Sequence, residues 1–373
     1  MGLEAYCEPV TLDVSNNLGV LSTNSYANTS LKAADVFLLG YSEDRNSDNI
    51  GVHNAPSVMR EKLYSLHKTS KSLKILDLGN CKNGETVAQS YANLQSAVEI
   101  LAKYDKPIIV FGGTQEASCY LAEASFKQVQ FPSVCMIDAR VDWERNAEDF
   151  SNRNYISHLI AYNPQIRISQ IGTQEYLSSR ESFAWLTEHY FPTLRLGECN
   201  ADIKQTESFI RDAQLVSFDI NAIRYSDNPA GLNVNGFYAE SACQCAWNAG
   251  YSPRMNIFFL SEFNPQKDTD SISAQLSAEI LWHVLDGISQ RKRESGDYSD
   301  DSYLKRYLKH AKFPQDICFY ESLVSQTFWV EVPMKTMQKK RVIPCSLANY
   351  ETFRNGFIPD FWMMEFQRLL SLS

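Results

Sequence analysis

Short hydrophobic runs recur along most of the chain, and each is followed by a polar cluster and then by a segment with helical spacing. The runs are rich in Ile, Val, Leu and Phe, as strands buried on both faces require. They lie within DVFLLGYSED, LKILDLGN, KPIIVFGGTQE, SVCMIDARVD, IRISQIGTQEY, AQLVSFDINAIR and MNIFFLSEFNP, with a weaker one at PTLRLGE. Intervening segments such as TVAQSYANLQSAVEILAKY have the apolar spacing of helices. The alternation predicts an α/β fold with three layers, α/β/α, around a central, mainly parallel sheet of about eight strands.

The pattern changes near residue 290, where the polar stretch SQRKRESGDYSDD begins. DSYLKRYLKHAK predicts a basic helix that includes the stretch from Lys305 to Lys312. TFWVEVPM and RVIPCS predict two strands of a β-hairpin joined through KTMQKK, and IPDFWMMEFQRLL predicts a final helix. We therefore divide the chain into an N-terminal extension (1–30), an α/β domain (31–295) and a C-terminal extension (296–373).

The C-terminal extension admits two interpretations, since it either packs on the core of its own chain or serves an interaction. Aromatic and basic side chains are concentrated in it, and they suit a protein interface as well as a docked flap. The residues concerned are Phe328, Trp329, Lys339, Lys340, Arg341, Phe361 and Trp362.

Composition and charge exclude several classes of function. The 373 residues are 44% hydrophobic and 21% charged, which is ordinary for a globular protein with a sizeable core. A formal net charge of -9 argues against nucleic acid or an anionic membrane as the main partner. We find no run long enough to span a bilayer, and MGLEAYCEPVTLDVSNN lacks the pattern of a secretory signal. The nine scattered cysteines, including the packing thiols expected at Cys243 and Cys245, indicate reduced thiols and a cytoplasmic protein.

Polar and charged side chains stand where the predicted strands end. In a parallel sheet the ligand lies beyond the carboxyl ends of the strands, so these side chains are the candidate site. They are Gln115, Glu116, Asp138, Arg140, Asp142, Asp219, Asn221 and Glu262. A single one of these aspartates could equally cap the helix that follows it.

Four segments carry a resemblance to a known family. FGGTQEAS, IDARVDWE, SFDINAIRYSDNPAG and LSEFNPQKD resemble the signature segments of the arginase or ureohydrolase superfamily, whose usual forms are GGDHS, DAHxD, SxDxDxxDP and a strand-end Glu in an E-x-N-P context. Their order and spacing match over roughly residues 31 to 285. DNPAGLNVNGFYAESACQCAWNAG is most similar to the formimidoylglutamase branch. The resemblance implies an arginase-like fold and a homo-oligomer, either a trimer or a hexamer.

The family chemistry implied by this resemblance uses two manganese ions bridged by a hydroxide. Six side chains normally hold the metals, and three of them differ here, at Gln115, Arg140 and Asn221. Thr114 also replaces the Asp of GGDHS. Asp138, Asp142 and Asp219 remain, and so does Glu262, which in the family usually meets the cationic group of the substrate.

The replacements work against a pair of cations. Arginine carries only donors and stays protonated, so Arg140 would repel a metal rather than bind it. Asn221 lacks the negative charge of an aspartate. What remains is one vestigial site made of Gln115, Asp138, Asp142 and Asp219, whose oxygens suit Mg²⁺ or Mn²⁺. We expect the guanidinium of Arg140 to fill the site instead, with bidentate pairing to Asp138 or Asp219 as one possibility. Its side chain should hydrogen-bond at least one of Asp138, Asp142 and Asp219.

Three functional hypotheses follow. The first is a pseudoenzyme without a cofactor that keeps the scaffold for binding or assembly with a protein partner, and the altered ligands favour it. The second is a hydrolase of a C–N bond in an amidine or guanidine, with a single Mn or Mg and with Glu262 and Asp142 as catalytic residues. The third is a sensor that binds a cationic or amino-acid-like ligand through Glu262 and the remaining carboxylates. We interpret His158 as a loop or surface histidine rather than as a residue of the site.

Overall fold

The computed structural model describes residues 2–11, 13–22, 26–127, 129–145, 149–292, 294, 296–313, 315–334 and 340–372. Its strands are β1 (Cys7–Glu8), β2 (Leu21–Ser22), β3 (Val36–Gly40), β4 (Ile75–Cys81), β5 (Ile108–Phe111), β6 (Ser133–Ile137), β7 (Arg167–Thr173), β8 (Thr193–Arg195), β9 (Leu215–Asp219), β10 (Ile257–Ser261), β11 (Tyr303–Leu308), β12 (Ile317–Ser322), β13 (Phe328–Pro333) and β14 (Lys340–Cys345). Its α-helices are α1 (Asn28–Ala33), α2 (Ala55–Ser65), α3 (Val87–Ala102), α4 (Ser118–Ser125), α5 (Tyr155–Tyr162), α6 (Arg180–Glu188), α7 (Leu196–Ala201), α8 (Thr206–Asp212), α9 (Ala239–Tyr251), α10 (Ile272–Gln290), α11 (Leu347–Arg354) and α12 (Asp360–Ser371).

The large sheet confirms the predicted architecture. Eight parallel strands stand in the order β4-β3-β5-β10-β9-β6-β7-β8, and β1 and β2 add to the outer side of β4. Of these two short strands, β1 runs antiparallel to β4 and β2 runs parallel to it. Each hydrophobic run in the sequence became one of the eight central strands, including the weaker run at PTLRLGE.

Helices bury both faces of this sheet, so the three predicted layers are present. Successive residues of β3 alternate between the faces, because side chains in a strand point to opposite sides. Val36 and Leu38 join a core cluster that also contains residues of α2, α9 and α10. Phe37 and Leu39 join a second cluster with residues of α3, α4 and α5.

The C-terminal extension forms a separate four-stranded antiparallel sheet in the order β11-β12-β13-β14. The predicted hairpin is confirmed by the pairing of β13 with β14, although residues 335–339 of its connector, Lys339 among them, lie outside the described residues. The predicted basic helix is wrong, because Tyr303–Leu308 is the edge strand β11. Cross-strand pairing with β12 outweighs the local pattern, and Arg306 forms an ion pair there with Glu321.

The aromatic residues of the extension are largely buried in its own packing. Trp362 on α12 is fully buried, and its indole Nε1 donates to the carbonyl oxygen of Glu331, 2.8 Å away. Trp329 on β13 is 1% exposed, and the guanidinium carbons of Arg211 and Arg254 lie 4.6 and 4.4 Å from its ring centroid. The contacts of Arg211 and Arg254 with Trp329 tie the small sheet to the α/β domain.

The extension lies against the amino-terminal edge of the large sheet. Its buried Arg341 pairs with Asp212, which ends α8 just before β9. Glu365 of α12 pairs with Arg167, the first residue of β7. Both contacts place the described part of the extension at the amino-terminal side of the sheet. No helix in the described ranges is both long and apolar enough to cross a membrane.

Candidate functional site

A cleft of about 180 Å³ opens at the carboxyl edge of the large sheet. Four of the residues predicted from the sequence line it after their strands, and they are Asp138 and Arg140 after β6, Asp219 at the end of β9 and Glu262 after β10. Asn221, also predicted, lies in the 3-10 helix that follows β9. Residues of the connecting loops complete the lining, and they are Asp48, Asn49, Asn152, Arg153, Ala230, Leu232, Asn233 and Lys267.

Two aspartates shape the floor of the cleft through the same local turn. Asp138 Oδ1 accepts a hydrogen bond of 2.9 Å from the backbone amide of Arg140. Asp219 Oδ1 accepts one of 2.7 Å from the backbone amide of Asn221. An aspartate that accepts the amide two residues later closes an Asx turn. The turn at Asp138 therefore sets the backbone position of Arg140, and the turn at Asp219 sets that of Asn221.

Arg140 pairs with Asp142, one of the three aspartates expected as its partners, and not bidentately with Asp138 or Asp219. Its Nε lies 3.3 Å from Asp142 Oδ1, whereas its contact with Asp138 is made by the main chain. The carbonyl oxygen of Arg140 accepts a hydrogen bond of 2.6 Å from Gln170 Nε2. The side chain is 27% exposed and that of Asp142 is 4% exposed, so the pair stands at the boundary between core and cleft.

Glu262 is held by three donors from this chain. Its Oε1 accepts from the backbone amide of Gln115 at 2.9 Å and from Asn152 Nδ2 at 3.3 Å. Its Oε2 accepts from Asn49 Nδ2 at 2.9 Å. The residue also has a φ of 68°, in the left-handed region that side chains other than glycine rarely adopt. Strain of this kind persists where the surroundings fix the conformation, and it is common at functional sites.

The cleft gathers acidic side chains where water is scarce. Burial raises the pKa of Asp219 to about 8, and the nearby Glu262 adds to the shift. Burial also raises the pKa values of Asp138, Asp142 and Glu262. Burial alone would lower the pKa of Arg140, but the carboxylates around it, Asp142 foremost, outweigh that effect and raise it. Arg140 is therefore a fixed cation among carboxyl groups that resist ionisation.

Three oxygens of the predicted ligand set lack a hydrogen-bond donor in the part of the chain that the structure describes. They are Asp138 Oδ2, Asp142 Oδ2 and Gln115 Oε1, and all three are buried. Gln115 spends its amide nitrogen on Ser217 Oγ, 3.3 Å away. Within the described ranges, no group of three or more His, Cys, Asp and Glu side chains is arranged to hold a metal ion.

Sequence reasoning missed the residues that come from loops. Asp48 and Asn49 lie between β3 and α2, Asn152 and Arg153 precede α5, and Lys267 follows β10. Arg153 forms an ion pair with Asp48, and Lys267 Nζ donates to Asn49 Oδ1 at 3.1 Å. The polar stretch SEDRNSDN directly after a predicted strand was a usable signal for the first two.

Other candidates lie elsewhere. Glu116 is buried away from the cleft lining, and its Oε1 accepts from Tyr91 and Thr114 hydroxyls at 2.8 and 2.6 Å. The loop or surface position expected for His158 is wrong, because His158 lies on α5, half-buried, with its ring against Phe150. Cys243 and Cys245 are buried on α9, where burial raises their pKa values to about 12, as befits packing thiols.

Comparison with known proteins gives consistent results. The pattern of the arginase family matches residues 34–286. A formimidoylglutamase of Staphylococcus haemolyticus is 20% identical over 268 residues, which is 67% of this chain and 85% of the relative. A crystal structure of Trypanosoma cruzi formiminoglutamase with Mn2+2 superposes with a TM-score of 0.66 at 18% identity, covering 75% of this chain and all of the other. The formimidoylglutamase of Bacillus subtilis also gives a TM-score of 0.66 at 18% identity, covering 76% and 95%.

Proposed function

We propose a function for the cleft of this chain, which belongs to the arginase family. The cleft serves binding or assembly and no longer hydrolyses a substrate at a two-manganese centre. The observation that carries the proposal is the Arg140 guanidinium, 3.3 Å from Asp142 among the strand-end carboxylates. An ion pair in this place supplies the positive charge that a metal would otherwise supply.

The residues around the cleft do not fit two divalent cations. A guanidinium has no lone pair with which to ligate a metal ion, and at this short range its positive charge would repel one. Asn221 offers a neutral amide where a second cation needs a carboxylate. We therefore derive no catalytic step through a pair of metals.

The ligand that fits this cleft carries charges of both signs. Asp48, Asp138, Asp219 and Glu262 line it together with the cations Arg140, Arg153 and Lys267. The three hydrogen bonds to Glu262 hold its carboxylate in place for a cationic group. The proposal includes three kinds of binding. The chain would bind a small amino-acid-like molecule, a protein partner, and further copies of itself in a homo-oligomer. Size-exclusion chromatography with light scattering reads out the oligomer directly.

The alternative is a hydrolase that uses one cation, and a separate observation favours it. The free oxygens of Asp138, Asp142 and Gln115 are buried and lack donors among the described residues, as the oxygens of a metal ligand set would. All-oxygen sets of this kind suit Mg²⁺ or Mn²⁺. Glu262 and Asp142 would then be the residues nearest the chemistry of an amidine or guanidine substrate.

Metal content and turnover test the proposal together. We expect purified protein incubated with excess Mn²⁺ and then desalted to retain fewer than two ions per chain by mass spectrometry. We expect no hydrolysis of N-formimidoyl-glutamate or of guanidino amino acids above the uncatalysed rate. Two retained manganese ions with turnover would overturn the proposal, whereas one ion with turnover would favour the one-metal hydrolase.

A gain-of-ligand variant provides the complementary test. Arg140→His, Gln115→His and Asn221→Asp in one chain remove the guanidinium and add two imidazoles and a carboxylate, so affinity for Mn²⁺ should rise at least tenfold, or about 1.4 kcal/mol. Arg145→His is the matched control, because Arg145 pairs with Glu181 at the surface, 62% exposed. Equal Mn²⁺ affinity of the triple variant and the wild type in calorimetric titration would contradict the role given to Arg140.

A further inference from the structure

Two cysteines face each other at the outer edge of the large sheet. Cys7 of β1 and Cys81 of β4 are direct partners in the antiparallel pairing of these strands. The adjacent hydrogen bond runs from the amide of Lys82 to the carbonyl oxygen of Tyr6, at 2.8 Å. That pattern makes the cysteines a non-hydrogen-bonded pair, whose Cα atoms stand about 4.5 Å apart. Disulfides span Cα separations of about 4.4 to 6.8 Å, so the pair is within bonding reach.

The two side chains also share one environment. Residues directly opposite in an antiparallel pair point to the same face, and both cysteines belong to the same core cluster. Each is a free thiol with 1% of its surface exposed. Cys7 in addition lines a surface pocket together with Glu4, Tyr26 and Lys82. Solvent therefore comes close to Cys7 while its thiol is still shielded.

We propose that Cys7 and Cys81 form a reversible disulfide that fastens the N-terminal strand to the sheet. The site lies outside the cleft, and Cys7 precedes the residues that match the arginase family. The proposal is independent of whether the cleft is catalytic.

Fraying of β1 is the step that makes the thiols reactive. In the closed state both are shielded, and burial raises the pKa of Cys7 to about 12, although the Lys82 ammonium opposes the shift. β1 contains only two residues at the sheet edge, and such short edge elements open readily. Opening exposes both thiols to water and lets them ionise, and closing returns them to each other.

The reaction balances with a small-molecule disulfide such as oxidised glutathione. The Cys7 thiolate attacks one sulfur of the oxidant, which forms a mixed disulfide and releases one glutathione thiolate. The Cys81 thiolate then attacks the Cys7 sulfur and releases the second glutathione thiolate. Two cysteine thiols are oxidised, one glutathione disulfide is reduced, and the two protons pass to the leaving thiolates.

Thiol counting and peptide mapping test the bond. We expect the full-length protein, incubated with oxidised glutathione and then unfolded in the presence of an alkylating agent, to show seven free thiols where reduced protein shows all nine of its cysteines. The peptide that contains Cys7 should be linked to the one that contains Cys81, and dithiothreitol should restore nine thiols. Nine thiols after oxidation, or a link between other cysteines, would overturn the proposal.

Single variants separate this pair from the other buried cysteines. Cys81→Ala should leave Cys7 as a mixed disulfide with glutathione, whereas Cys135→Ala, which removes a fully buried thiol on β6, should leave the Cys7–Cys81 bond unaffected. Oxidation of the wild type should also slow amide exchange in residues 2–8 by about tenfold, because the bond opposes fraying. Unchanged exchange in protein that carries the mapped bond would refute the fastening role, and this measurement needs no variant to fold.

Discussion

At the residue scale, the proposal for the cleft depends on Arg140. Arg140 follows the turn closed by Asp138 and places its Nε 3.3 Å from Asp142. A histidine in that position could accept a metal through a ring nitrogen, and an arginine cannot. The charge of the guanidinium also opposes the rise that burial causes in the pKa values of Asp138 and Asp142. We therefore expect one charge to influence both stability and metal binding.

Removing that charge should destabilise the fold. Arg140→Met keeps much of the side-chain volume and leaves Asp142 without its partner. We expect a loss of about 1–3 kcal/mol in the free energy of unfolding, which is less than for a fully enclosed pair because the Arg140 side chain is 27% exposed. Arg140→Lys should recover part of the loss. Urea denaturation at pH 7 measures both, and equal midpoints for wild type and Arg140→Met would show that the pair contributes nothing.

At the scale of elements, a buried ionic network joins the C-terminal extension to the α/β domain. Asp212 at the end of α8 accepts from Arg167 and Arg341 at 2.8 Å and from Arg254 at 2.6 Å. Glu365 of α12 pairs with Arg341 as well, at 3.0 Å. The carboxylates of Asp212 and Glu365 are both 1% exposed, so each needs its arginine partners to offset the cost of burying its charge. The network therefore fixes how α8, β14 and α12 pack together.

The network should make the stability of the fold depend on pH in the acidic range. Burial alone would raise the pKa of Asp212, but Arg341, Arg167 and Arg254 outweigh it and hold the pKa well below its usual range. A group with a lowered pKa contributes stability above the pKa of the unfolded chain, near 4 for Asp, and this contribution is lost as the pH falls. The melting temperature should therefore drop below about pH 4.

Asp212→Asn isolates this contribution. At pH 7 it leaves three arginines without their shared carboxylate, so we expect a loss of about 3–5 kcal/mol. Its melting temperature should then fall less than that of the wild type between pH 5 and pH 3. Asp301→Asn, at an exposed position, is the control and should follow the wild type. Parallel pH profiles for Asp212→Asn and wild type would rule out the assigned role.

At the scale of the whole molecule, the cleft and the C-terminal extension occupy opposite edges of one sheet. The cleft follows the carboxyl ends of β6, β9 and β10. The extension meets the amino-terminal side, through Arg167 at the start of β7 and Asp212 before β9. A partner bound to the outer surface of the extension would therefore leave the cleft open to a ligand.

Removing residues 296–373 should impair folding rather than detach a module. Truncation takes Arg341 and Glu365 from the buried network and uncovers Arg211, whose guanidinium now donates to the carbonyl oxygens of Phe328 and Cys345 at 3.1 Å. Exposure of such charges and of apolar surface at a former interface favours aggregation. We expect the truncated chain to be insoluble or to melt at least about 10 °C lower, a shift that corresponds to a loss of several kcal/mol. A soluble truncated protein with an unchanged melting temperature would identify the extension as an independent interaction module.

The sequence by itself determined the large sheet and the positions of the strand-end residues. Buried parallel strands must be continuously apolar, and the helices between them must carry an apolar stripe. Both patterns can be recognised from residues that are close together in the sequence. Asp138, Arg140, Asp219, Asn221 and Glu262 could be placed at the cleft for the same reason, since each lies at a strand end or within three residues after it. The four-segment resemblance added the family, which the comparisons bear out.

Tertiary structure decided what depends on partners distant in sequence. The strand at 303–308 exists because β12 pairs with it, which no local basic pattern reveals. Arg140 pairs with Asp142 through its side chain and meets Asp138 only through its main chain, although Asp138 Oδ2 has no donor among the described residues. Loops bring Asn49 and Asn152 to Glu262 across separations of 213 and 110 residues, and β1 brings Cys7 to Cys81. Such contacts depend on loop closure and on burial, and neither is encoded in the spacing of neighbouring residues.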